Sequence, residues 1–446
     1  MGKTSDGLGT EKISKLIIRQ AVPASVGILF MTVNLLVDTI LVGKWIGSIA
    51  IAALTVVTPV AFLIGSIGFA IGVGGSSVLS RALGEGKEQK AESAFSHQIM
   101  LTFLLTAILV IVGLVFSEDV LRLFGAKGDI LEPAKLFYYP ILLAAPLQAL
   151  CAVGNSVIRA EDKAKYSMIG LIVPSIANIV LDIIFIRFFD WGIFGAAMAT
   201  AISFAMAFLY TVWFFVFKSE LKLKIKHFIP DFDLTKEITA LSFTTFSRQS
   251  VISILSVLLN HILFENGGEN SVTVYGIISK MLMFALFPVN GITEGFLPVA
   301  GYNYGAEKFK RVRESIFVSI KYAGGIAIVI YALILIFANQ IVTVFSDDPE
   351  IIRQTPNALR WVFAASPIIA LQLIGAAYFQ SAGNAMKALL LTLTKQGFFL
   401  IPLILILPEY FGIFGVWIAF PIADVSATLV TTIFLTKELK TRLNHD

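Results

Sequence analysis

Twelve apolar stretches of about 20 to 30 residues, joined by short polar turns, leave this chain one solvent in which to fold. Each is long enough to cross a hydrocarbon layer of ~30 Å as a helix. They fall near 13–42, 49–81, 91–116, 134–160, 164–189 and 192–217, then 237–264, 271–303, 312–338, 356–383, 387–410 and 412–436. Only 14% of residues are charged, against roughly 25% in soluble domains. A soluble core cannot hide this much apolar surface, so the expectation is an all-α integral membrane protein. The first run is too long for a signal peptide and lacks a small-residue cleavage site, so it is expected to remain as the first span. The single cysteine, Cys151, excludes an internal disulfide framework and a Cys-based metal site.

The basic residues set the orientation. Of 34 Lys and Arg, seven lie in the loops on one side (Lys44, Arg122, Lys127, Lys135, Arg187, Arg353, Arg360). Four lie within helices (Arg248, Lys280, Lys321, Lys395), and the rest belong to the tails and to the loops on their side. The basic side is cytoplasmic by the positive-inside rule, so both termini are expected in the cytoplasm and the chain in the cell (inner) membrane. Topology explains the net charge of +4; nucleic acid is not an expected partner, the lipid bilayer is, and a monomer suffices.

The halves repeat each other at an offset of about 221. Leu36-Val37-Asp38-Thr39-Ile40-Leu41 aligns with Leu258-Leu259-Asn260-His261-Ile262-Leu263, and Trp191-Gly192-Ile193-Phe194-Gly195 with Phe411-Gly412-Ile413-Phe414-Gly415. The reading is an amino-terminal six-helix lobe over 1–217, a cytoplasmic linker over 218–236 and a carboxy-terminal six-helix lobe over 237–446. Repeats of like topology are expected to be related by an axis along the membrane normal, with a cavity between them.

Four acids fall well inside helices: Asp38, Asp182, Glu294 and Asp424. A charge at the bilayer centre costs about 2.5 to 3.5 kcal/mol, so such residues usually face a bundle interior or a wet cavity. Asn34 and Asp38 are four residues apart, as are Asn178 and Asp182, which puts amide and carboxylate on one helix face. Two such faces would supply oxygens for Na⁺, or would share one proton between neighbouring carboxylates. Thr200 and Asn155 offer further ligands or hydrogen-bond partners. The bland alternative for Asp38 is that it only reaches interfacial water. Pro23, which removes a hydrogen bond from the same helix, reads as a hinge. In the second half Arg248, Lys280, Glu294, Lys395 and Asp424 either neutralise one another or touch substrate. The four histidines show no metal-ligand spacing. Gly72-Val73-Gly74-Gly75 lies inside a helix, where small residues permit close packing. No Walker motif is present, so ATP is not the expected energy source.

Two features, Gly291-Ile-Thr-Glu-Gly-Phe-Leu-Pro-Val-Ala-Gly-Tyr-Asn-Tyr-Gly-Ala306 and the set Pro23, Asp38, Asn178, Asp182, make the chain resemble the multidrug and toxic compound extrusion (MATE) family over its whole length. The resemblance implies two six-helix bundles and export of small-molecule drugs and toxic organic cations in exchange for H⁺ or Na⁺. The likeness is strongest to the DinF-like branch, which implies an ion site at Asp38, Asn178 and Asp182, with Asn155, Thr200 and Tyr139 beside it. If Na⁺ is the coupling ion, Asp38, Asn178 and Asp182 are its implied ligands; H⁺ is the favoured ion and no other cofactor is expected. Asn34, Tyr139, Pro23 and Glu294 are assigned to the hinge and substrate cavity. Glu294 stands where the family commonly has glutamine. The acids that the NorM-like branch carries in the seventh and tenth helices are absent.

The expected function is a multidrug efflux antiporter, not an enzyme. A lipid-linked precursor flippase would need a strongly basic cavity, and a membrane-embedded enzyme would need clustered metal ligands or a nucleophile–base pair.

Overall fold

The computed structural model describes residues 7–126 and 128–444; Lys127, one of the seven basic loop residues, and His445, one of the four histidines, lie outside them. Among the described residues there is no strand, and the spanning helices follow the apolar runs. They are α1 (Ile13–Trp45), α2 (Ser48–Gly84), α3 (Glu88–Val115), α4 (Leu131–Ala160), α5 (Ala164–Phe188) and α6 (Gly192–Phe217). The second set is α7 (232–267), α8 (269–305), α9 (Phe309–Phe345), α10 (Pro349–Ser381), α11 (Ala385–Phe411) and α12 (Ile413–Thr441). The chain is thus an all-α protein of twelve spanning helices in two bundles.

Local chemistry sets the interruptions. Gly268 separates α7 from α8 with φ 67° and ψ −163°, a conformation open in practice to glycine alone. In α10 the pieces Pro349–Val362 and Ser366–Ser381 meet at 47°. Pro367, near the start of the second piece, lacks the N–H and clashes with the preceding turn. Two helices widen into π turns, α5 at Ile183–Phe188 and α11 at Thr394–Leu400. Most ends run past the expected bounds, because helical hydrogen bonding continues into the polar ends where hydropathy has faded.

The chain divides into two compact units. The first is Val26–Ser242 and the second joins Leu8–Ser25 to Phe243 onward, so the boundary falls inside α1, three residues after Pro23. The first unit packs Val42, Val57, Tyr138, Leu142, Ile186 and Ile193 in its core. Glycines bring its helices close. A Cβ on Gly68 would lie 2.5 Å from the Ala149 carbonyl oxygen, and one on Gly72 3.0 Å from that of Ala152. Gly74 packs on the Ser242 backbone and Gly75 on the Gln98 side chain.

The segment 218–231 is laid against this unit. Glu161, 3% exposed, accepts from Ser219 Oγ (2.6 Å) and from the backbone N–H groups of Glu220 (3.2 Å) and Leu221 (3.0 Å). Burial pushes its carboxyl up, opposed by the Ser219 hydroxyl and Lys163. Glu92 accepts from Lys222 N (3.1 Å), and His97 Nε2 from Asp231 N (2.9 Å). Asp231 then accepts from Leu234 N at 3.0 Å, which caps α7. Helix α7 therefore begins at Phe232, five residues before the apolar run.

The second unit buries Leu259, Ile278, Phe363, Leu400, Trp417 and Phe420. The start of the chain is tied to α8 and α9. Asn303 Nδ2 donates to the Leu8 carbonyl (2.9 Å), and Arg311 donates to the carbonyls of Leu8 (3.1 Å) and Glu11 (2.6 Å). Along α8, Gly291 and Gly295 meet the α1 backbone at Ser25 and Ala21. Gly291 and Gly295 of the motif at 291–306 are thus the seat of the first helix.

Candidate functional site

Helices α1 and α5 run in the same direction, and Gly27 packs on Leu171 where they approach. Their polar faces meet in two tiers. In the lower tier Asn34 Nδ2 donates to Asn178 Oδ1 at 2.7 Å and to the Ser175 carbonyl at 3.2 Å. Asn178, 4% exposed, donates through Nδ2 to Thr200 Oγ1 at 3.2 Å, and Thr200 donates to the Ala196 carbonyl at 3.2 Å. This relay fixes the Asn178 amide, oxygen toward α1 and nitrogen toward α6.

One turn on, Asp38 and Asp182 face each other at hydrogen-bonding range. Asp182 is fully buried and Asp38 is 8% exposed. Neither Asp182 oxygen, nor Asp38 Oδ1, has a hydrogen-bond donor among the described residues. No basic side chain acts on either carboxyl among those residues. Two buried carboxyls without a donor or a base cannot both stay charged unless a cation joins them. A proton on one would bridge to the other, and a monovalent cation would meet three unused oxygens. The wide π turn of α5 begins directly after Asp182, a device common at functional sites.

Of the residues expected here, Asp38, Asn178, Asp182 and Thr200 come together. Asn34, assigned to the hinge and substrate cavity, belongs to this relay instead. Asn155 does not join it. It bonds to Ser167 through the Ser167 carbonyl (3.1 Å) and hydroxyl, and its Oδ1 accepts from Arg159 at 2.8 Å. Ser167 is eleven residues before Asn178 on α5, about 16 Å along the axis at 1.5 Å per residue. Tyr139 is also elsewhere: it is exposed, with its hydroxyl 3.0 Å from Ser117 Oγ. Its neighbour Tyr138 is buried and donates to the Gly113 carbonyl at 3.1 Å. Pro23 and Glu294 belong to the second unit. Glu294 sits between Gly291 and Gly295 on α8 and attracts Arg248 of α7.

A duplicated bundle of spanning helices with a buried pair of facing carboxyls is the architecture of a membrane transporter. Comparison with known proteins names its kind. The MatE family model matches residues 23–184 and again 242–406, once in each half, so the chain belongs to the MATE family. It is 26% identical over 435 residues to the multidrug export protein MepA of Staphylococcus haemolyticus, covering 97% of this chain and 95% of that one. Among solved structures it resembles an outward-facing multidrug resistance MATE transporter of the MOP superfamily, with TM-score 0.94, 26% identity and full coverage of both chains. A MATE structure in a bent conformation matches with TM-score 0.93 and 26% identity, covering 100% of this chain and 99% of that one.

Proposed function

We propose that this protein is a multidrug efflux antiporter of the cell membrane, with both termini cytoplasmic. It exports amphipathic, mostly cationic compounds in exchange for H⁺. The observation that carries the reading is the Asp38–Asp182 pair, buried and facing, with three oxygens that no donor among the described residues reaches. The name of its staphylococcal relative, a multidrug export protein, agrees with it.

The exchange follows from electrostatics. Empty, the two carboxylates repel at short range in a medium of low dielectric constant. Loaded with a proton, one becomes a donor and draws α1 onto α5. Helix α1 has a weak point to absorb that movement. Pro23 cannot donate to the Arg19 carbonyl, which costs a helix about 3 kcal/mol relative to alanine. A proton needs only the two facing carboxyls, whereas Na⁺ needs a shell of oxygens to replace its water. The Asn178 amide oxygen, already taken by Asn34, contributes poorly to such a shell.

The test is efflux of a fluorescent organic cation from proteoliposomes, with a pH gradient and a Na⁺ gradient imposed separately. A pH gradient is expected to accelerate efflux and a Na⁺ gradient alone to leave it at the leak rate. Acceleration by Na⁺ alone would transfer the site to that ion, and acceleration by neither would end the antiport reading.

Pro23→Ala is expected to restore the hydrogen bond to Arg19 and straighten α1. Turnover should fall several-fold while equilibrium binding of the same cation in detergent stays within about twofold, under 0.5 kcal/mol. Unchanged turnover would remove Pro23 from the mechanism.

A further inference from the structure

The second unit holds its own buried carboxylate, on the helix pair that corresponds to α5 and α6. Asp424 of α12 has a 4% exposed side chain, and its Oδ1 lies 2.6 Å from Lys395 Nζ of α11. Lys395, 13% exposed, sits in the π turn Thr394–Leu400. At the repeat offset of about 221, Lys395 corresponds to Pro174 of α5 and Asp424 to Ser203 of α6. Each lies within a turn of the counterparts of Asn178 and Thr200, which join α5 to α6. The two units thus place a polar link at nearly the same height of the same two helices. In the first unit the nearby carboxyls have no base among the described residues; in the second the base is built in.

We propose that Asp424 is a monovalent-cation site whose resident ion is the tethered ammonium of Lys395. Proton or Na⁺ is excluded because the ammonium already supplies the charge, and either binds once that ammonium is removed. The surroundings leave no other claimant. Lys395 is the one charged side chain acting on Asp424 among the described residues. Arg248 comes near, since Val251, one turn beyond it on α7, packs 3.9 Å from the Cβ position of Gly397. Arg248, however, is drawn to Glu294. The other ion pair between these helices, Lys387 to Glu438 at 3.1 Å, lies 14 residues along α12, about 21 Å away. Substrate ammonium groups share this chemistry, but only the bare ions fit a site buried to this degree. The assignment does not depend on the antiport reading, because its test measures stability and not transport.

The experiment is thermal unfolding of the purified full-length protein in detergent. Lys395→Met, Lys395→Met with Asp424→Asn, and the unaltered protein are each melted in sodium or choline chloride at equal ionic strength, and at two pH values in choline. Lys395→Met alone is expected to gain several degrees from Na⁺, from acid, or from both, as a ligand that binds only the folded state must stabilise it. The Na⁺ arm and the pH arm separate the two ions. Equal responses of Lys395→Met and the double variant would overturn the proposal. So would a Lys395→Met protein that stays unstable in every condition while the double variant is sound, since the carboxylate would then accept no replacement cation. Failure of both variants would assign Lys395 to packing and overturn it equally.

Discussion

Asp182→Asn is expected to abolish gradient-driven efflux, to below about a tenth of the unaltered rate, and Asp38→Asn to do the same. Losing an exchange energy of only 1.4 kcal/mol already amounts to tenfold. Asparagine has the shape of a protonated aspartate and cannot release the proton. Either change therefore fixes the pair in a state resembling the loaded one. Asp182 is the more severe position: it is fully buried and neither of its oxygens has a donor among the described residues, so it depends on Asp38 and the exchanged ion. Misfolding is separable from loss of coupling. Removing one of two like charges at short range relieves repulsion, so the melting temperature of either variant should be no lower than that of the unaltered protein. Facilitated movement of substrate down its own gradient should survive while the response to a pH gradient disappears. Retention of gradient-driven efflux by both variants would place coupling elsewhere in the molecule.

That pair could be read from the sequence because two physical rules converge on it. Intramembrane acids are costly, and Asn34–Asp38 and Asn178–Asp182 share one spacing that fixes one helix face. In sequence Thr200 offers a further ligand or hydrogen-bond partner on α6. Asn155 stands on the same footing as a polar group on α4, Tyr139 comes from the family resemblance alone, and nothing in their spacing ties either to the carboxyls. Arg159 lies one turn from Asn155 and is 7% exposed; a buried guanidinium claims the nearest amide oxygen, a competition visible only once α4 and α5 are packed. The number and order of the helices were plain because each apolar run is as long as a bilayer is thick. The π turns at 183–188 and 394–400, the break in α10 and the division of α1 after Ser25 were not plain. Their residues keep the hydropathy of any spanning helix. The role of Gly291 and Gly295 was also hidden, because a glycine pair four apart announces close approach without naming the partner.

Three glycine-to-alanine substitutions on α8 that look alike in sequence should therefore divide, one stabilising and two destabilising. Gly276→Ala places its methyl group in open space, with nothing within 4 Å. It should stabilise the protein by roughly 0.5 to 1 kcal/mol, the helix-propensity gain of alanine over glycine. Gly291→Ala makes the same gain but drives its Cβ to 2.7 Å from the Ser25 backbone nitrogen and 2.8 Å from Ser25 Cα. Gly295→Ala meets the Ala21 nitrogen at 2.7 Å and the Gln20 carbonyl carbon at 2.9 Å. These obstacles are backbone and cannot turn aside like a side chain, so α1 must move off α8 as a rod. Overpacking of this kind costs about 1 to 3 kcal/mol and exceeds the propensity gain. Valine at either position should cost more, since a branched side chain extends the clash along the seam. The seam holds α1 between Ala21 and Ser25, the turn that contains Pro23. Loss of transport in Gly291→Val should therefore exceed what its melting temperature accounts for, while Gly276→Ala transports normally. Thermal unfolding of the three alanine variants is the deciding measurement: if Gly291→Ala and Gly295→Ala melt as high as Gly276→Ala, α1 is not seated on this glycine pair.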